Sequence, residues 1–83
     1  MLFKVEGLDP KLETDQANSE IKEHRHPLDE IRMVVSGTLL VNVSGTKLLL
    51  RAGDRIEIPS NTKHATKAEG DEDCVSIYAN RIS

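Results

Sequence analysis

The chain has 83 residues, a net charge of −3, no Trp, and Phe3 and Tyr78 as its aromatic residues, so it reads as one domain, 1–83, with a modest aliphatic core. That composition excludes the aromatic platforms that stack bases or sugars, and the absence of a basic run excludes nucleic acid as a partner. No apolar stretch approaches the ~20 residues that span a bilayer, and "MLFKVEGLDP" has no signal-peptide core, so a soluble, cytoplasmic protein is expected.

In chain order, the first segment of interest is "KLETDQANSEIKEH". It contains good helix formers, but Leu12, Ala17 and Ile21 are too sparse to define a buried stripe. It is read as a loop that becomes a strand on its way into His24. Beyond it, runs of four to seven residues are rich in β-branched side chains: "EIRMVV", "TLLVNV", "TKLLLR", "RIEIP" and "CVSIYA". Turn signals separate them, including "HPLD", "SGT" twice, "AGD", "PSNTK" and "EGDED". Short strands at regular spacing predict an all-β fold, a small antiparallel barrel or jelly roll.

Strand parity assigns the faces. Glu30, Arg32 and Val34 share one face, and Ile31, Met33 and Val35 the other. Leu39, Val41 and Val43 point inward, as do Ile56 and Ile58. One discord remains. If His24 and His26 face inward, strict alternation also turns Lys22 inward and Ile21 outward. A bulge near Glu23, or a bend at the barrel rim, resolves it.

The chemistry concentrates in the three histidines. His24 and His26, two residues apart on a strand, place their imidazoles on one face with Cα atoms ~7 Å apart. Glu30 follows the Pro27-Leu28-Asp29 turn, and His64 stands at the start of a later strand, where a barrel mouth can supply it. Three imidazoles and one carboxylate suit a single divalent transition metal: iron, manganese, nickel, cobalt, copper or zinc. Calcium and magnesium prefer oxygen shells and are disfavoured.

His24-x-His26, three residues, Glu30, six residues and Gly37 resemble the first motif of the cupin superfamily. Gly53, five residues, Pro59, then Asn61 and His64 resemble the second. The resemblance covers about Asn18 to Ala68. It departs from the family pattern at Asn18, Asn61 and Ala68, none of them a ligand position. It implies a compact barrel, usually dimeric, with a metal held by His24, His26, Glu30 and His64. Within the superfamily, "HRHPLDEIR" and "GDRIEIPSNTKHA" are similar to the metal core of acireductone dioxygenases, which are far longer chains.

The remaining residues have plainer readings. Arg32 is first a salt-bridge partner at the barrel mouth, and second a guanidinium clamp for a substrate carboxylate or enolate. Cys74 reads as a small, partly buried strand residue, and with no second cysteine it fits a reducing compartment. Tyr78 reads as packing, Met33 as part of a dimer interface, and "EGDED" as a solvated turn. Two functions follow. One is a metalloenzyme of dioxygenase or isomerase type acting on a small oxygenated metabolite. The other is a non-catalytic module that binds or senses a small ligand through the same metal.

Overall fold

The structure, a computed structural model, describes residues 9–81; Phe3 and the N-terminal stretch lie outside them. Eight strands follow one another: β1 (Lys11–Asp15), β2 (Glu20–His24), β3 (Asp29–Ser36), β4 (Thr38–Val43), β5 (Thr46–Arg51), β6 (Arg55–Ile58), β7 (His64–Glu69) and β8 (Cys74–Arg81). They form two four-stranded sheets, ordered β1-β8-β3-β6 and β2-β7-β4-β5. Every neighbouring pair is antiparallel. This is the expected all-β jelly roll. Among the described residues, no helix is long and apolar enough to cross a membrane.

The inner faces meet as parity requires. Val34, Leu39, Val41, Leu50, Ile58, Ala68 and Cys74 form one buried cluster, with Val43 and Ile56 packed against it. Burying this apolar surface is the main stabilising term available to so small a fold. A second cluster, Ile31 and Ala79 with Met33 and Ile77, lies on the opposite face of the first sheet. Cys74 is fully buried rather than partly so. Burial and the nearby Asp15 push its thiol above the ordinary range, and Arg32 opposes them.

Turn chemistry fixes the strand connections. Ser44 and Gly45 both take positive φ between β4 and β5, which matches a two-residue hairpin turn. Gly37 joins β3 to β4 at φ +79°, and a Cβ placed there would stand 2.4 Å from the Asp73 carbonyl oxygen. The glycine is required both by its backbone angle and by the closeness of the neighbouring chain.

One element departs from expectation. Lys11–Asp15, read as loop, is an edge strand in full register with β8, from Lys11 opposite Tyr78 to Asp15 opposite Cys74. Its sequence hides it because it carries no apolar alternation. Leu12 points away from the core and is 67% exposed. The other face carries Glu13 and Asp15, and Glu13 points into a polar cavity.

Candidate metal centre

The register of the two sheets separates an apolar end from a polar one. At the polar end Glu30 lies opposite Asn80 and Ile58. In the other sheet His24 lies opposite His64, which neighbours Val43. The anticipated bulge is present. Ile21 pairs with Thr66 and His24 with His64, so three residue steps on β2 match two on β7. That extra residue reverses the parity of β2. Ile21 and His24 therefore both line the same cavity.

His26 is not on the strand with His24, as had been expected. β2 ends at His24, and His26 sits in the following connection, where its carbonyl accepts from the Asn61 amide at 2.8 Å. Asn61 adopts φ 56° and Asn18 φ 63°. Both stand where the family pattern expects glycine, and asparagine is the residue that best tolerates that conformation after glycine. The Asn61 bond ties the two motif segments together.

The three imidazoles converge. Ring centroids are 4.4 Å apart for His24 and His64, 4.8 Å for His26 and His64, and 5.4 Å for His24 and His26. One ring nitrogen from each lies within 4.8 Å of the others. The outer nitrogens are all engaged. His24 Nδ1–H donates to the Lys22 carbonyl at 2.8 Å, His64 Nδ1–H to Thr62 at 2.9 Å, and His26 Nδ1–H to Leu28 at 3.4 Å. A carbonyl only accepts, so each Nδ1 carries a proton, and Nε2 is the nitrogen of each ring left to serve as a ligand atom. Such second contacts orient imidazoles toward a cation.

Glu30, itself buried, divides its two oxygens. Oε1 stands 3.2 Å from His26 Nε2 and 4.0 Å from His64 Nε2. Oε2 accepts from Arg32 Nε at 2.7 Å. The three imidazole nitrogens are of the donor type and closeness that could hold a divalent transition metal, and Glu30 Oε1 stands beside two of them.

Arg32 is buried and held on several sides. Its Nη1 donates to Glu13 Oε1 at 2.7 Å and to Ser76 Oγ at 2.6 Å. The Tyr78 ring lies 4.8 Å from the guanidinium carbon, close enough for a cation–π contact. Burial alone would lower the guanidinium's pKa, but Glu30 and Glu13 outweigh it and hold it above its ordinary value. The salt-bridge reading of Arg32 is what the contacts display. Tyr78 does more than pack, since it covers this cation and lines the cavity.

The cavity has a volume of about 360 Å³, and besides the histidines, Glu30 and Arg32 its polar lining is Glu13, Thr66, Tyr78 and Asn80. That volume lies at the small end of ligand pockets. Those four residues were missed as site residues in the sequence. Tyr78 and Asn80 follow the parity of β8 and could have been found from its alternation. Glu13 could not, since its strand had no apolar signal.

A four-plus-four jelly roll with a histidine cluster between its sheets defines a class of barrel, and comparison places it. The cupin domain family matches residues 11–79, and the chain belongs to that family. It is 34% identical over 81 residues to the acireductone dioxygenase of Bacillus licheniformis, an alignment that covers 92% of this chain and 45% of that enzyme. The chain therefore spans less than half the length of that relative. Among solved structures, a cupin protein from Bacteroides fragilis superposes with a TM-score of 0.80 at 22% identity, covering 89% of this chain and 64% of its own. A mutant salicylate 1,2-dioxygenase from Pseudoaminobacter salicylatoxidans gives 0.82 at 23%, covering 88% of this chain and 22% of its own. Both likenesses concern the fold.

Proposed function

We propose that this barrel is a mononuclear metalloenzyme, a dioxygenase for a small oxygenated metabolite, with His24, His26, Glu30 and His64 as the ligands of one divalent transition metal. The observation that carries the reading is the convergence of one ring nitrogen from each histidine to within 4.8 Å, with Glu30 Oε1 beside His26 and His64 and each Nδ1–H donated outward to a main-chain carbonyl. The likeness to an acireductone dioxygenase favours oxygen chemistry over isomerisation.

A bound metal supplies Lewis acidity and positions for a chelating substrate and dioxygen. The chain's own residues do the rest. Ile21, Pro27 and Leu28 give the cavity an apolar side against which the carbon skeleton of a ligand can pack. Thr66 and Asn80 offer hydrogen bonds to hydroxyl or carbonyl groups. Arg32 holds Glu30 by one side and reaches the cavity wall, where it is our candidate contact for a substrate oxyanion. Diketones and hydroxy-ketones are the size the cavity takes. We also propose a cytoplasmic homodimer that covers the outer face of the first sheet, where Met33 and Ile77 are half-buried beside exposed Leu12.

The test is elemental analysis of protein purified without chelator, beside His26→Ala, followed by oxygen uptake with small enediols. Near one equivalent of metal, lost in the variant, with substrate-dependent oxygen uptake, supports the proposal. Metal binding with no turnover on any substrate would favour the ligand-binding module instead. No metal after reconstitution would remove both.

A further inference from the structure

Glu13 lies outside both histidine motifs, on the edge strand that carries no apolar signal, yet its carboxylate reaches the centre through one intermediary. The chain of contacts runs from Glu13 Oε1 to Arg32 Nη1 at 2.7 Å, and from Arg32 Nε to Glu30 Oε2 at 2.7 Å. Glu30 Oε1 then faces His26 and His64. Two carboxylates thus share one guanidinium.

The sharing has an electrostatic consequence. A buried Glu30 paired with Arg32 alone would form a nearly neutral couple, and a neutral couple attracts a dication weakly. With Glu13 on the other end of the guanidinium, the three groups sum to one negative charge. Part of that charge lies on Glu30 Oε1, the oxygen that faces His26 and His64. The geometry adds to it. Ser76 Oγ accepts from the same Nη1 at 2.6 Å and the Tyr78 ring covers the guanidinium face, so Arg32 is held in place and keeps Glu30 Oε2 turned away from the histidines. Glu13's side chain is 32% exposed against 8% for both Arg32 and Glu30. It is the part of the network that water and ligand can reach.

We propose that Glu13 is a positioning residue that balances the charge of Arg32, leaving the full charge of Glu30 available to a divalent metal. This rests on the metal reading above. It separates two properties of the residue, its charge and its hydrogen bond, which different substitutions remove.

The experiment is a Co²⁺ titration, followed by affinity and by the visible absorption of the bound ion, on wild type, Glu13→Gln and Glu13→Asp. Glu13→Gln keeps an oxygen for Arg32 and removes the charge. It is expected to weaken Co²⁺ about tenfold, within the range known for outer-sphere partners of metal ligands. The absorption bands should stay in place, because the donor set is unchanged. Glu13→Asp keeps the charge and should stay within about twofold of wild type, the rescue expected of a charge effect on a nearby ion. Equal melting temperatures of the metal-free proteins would accompany that result. Wild-type affinity in Glu13→Gln would overturn the proposal. So would an Asp variant as weak as Gln with a lowered melting temperature, since that describes a packing contact. If wild-type protein takes no Co²⁺, the metal reading itself fails and this inference falls with it.

Discussion

The two ends of this barrel are built from the same alternating strands and do opposite things. At one end Val34, Leu39, Val41, Ala68 and Cys74 are almost wholly withdrawn from water. At the other, the same inward-facing positions carry His24, His64, Glu30 and Arg32. The difference lies in which side chains fill a shared geometry. Apolar residues gain free energy simply by leaving water. Buried Glu30, Arg32 and His64 lose hydration and recover it only through specific partners. All the buried side-chain nitrogen and oxygen atoms of the described residues have such partners. The apolar end therefore supplies stability that the polar end consumes.

The largest effect that can sharpen this contrast is a cavity at the apolar end. Leu39 is fully buried, and Leu39→Ala should cost about 2–5 kcal/mol in denaturant unfolding. Its Co²⁺ affinity, measured where the variant remains folded, should stay at the wild-type value. A matching loss of affinity would break the division between the two ends. Gly37→Ala follows. The new methyl would meet the Asp73 carbonyl at a positive φ, and a loss of roughly 1–3 kcal/mol is expected from strain of that kind. The site is remote from the histidines, so again stability should move and affinity should not.

How much of this was legible in the sequence depends on the same division. The apolar end was open to reading, because alternation in "TLLVNV" and "RIEIP" states which side chains are inside. The metal candidates were legible from spacing, and the conflict between Ile21 and His24 pointed to a bulge or a bend at the barrel rim, of which the structure has the bulge. Two things stayed hidden. The position of His26 beyond the strand end depends on a hydrogen bond to Asn61, thirty-five residues away in the chain. The strand at Lys11–Asp15 was invisible, because its Glu13 serves a polar cavity, the residues sharing that face are charged, and its Leu12 faces out. A strand that lines a site loses the hydrophobic pattern by which strands are recognised.

The smallest effect lies where the two ends meet. Asp15, on β1 opposite Cys74, is partly buried and makes no ion pair among the described residues. Burial and then Glu13 push its carboxyl above the ordinary range, against a weaker pull from Arg32. As pH rises, the unfolded chain gives up this proton first, so the folded state binds more protons across the interval and stability falls with pH there. The native carboxylate is consequently a liability at neutral pH. Asp15→Asn should raise the unfolding free energy at pH 7, by less than about 1 kcal/mol given solvent screening of a half-exposed group. The gain should vanish below the ordinary carboxylate range, where both states of the wild type are protonated. A gain that persisted unchanged into acid would point to an amide hydrogen bond instead of relieved repulsion. It would mean that Asp15 belongs energetically to the apolar end, with no share in the charge network of Glu13, Arg32 and Glu30.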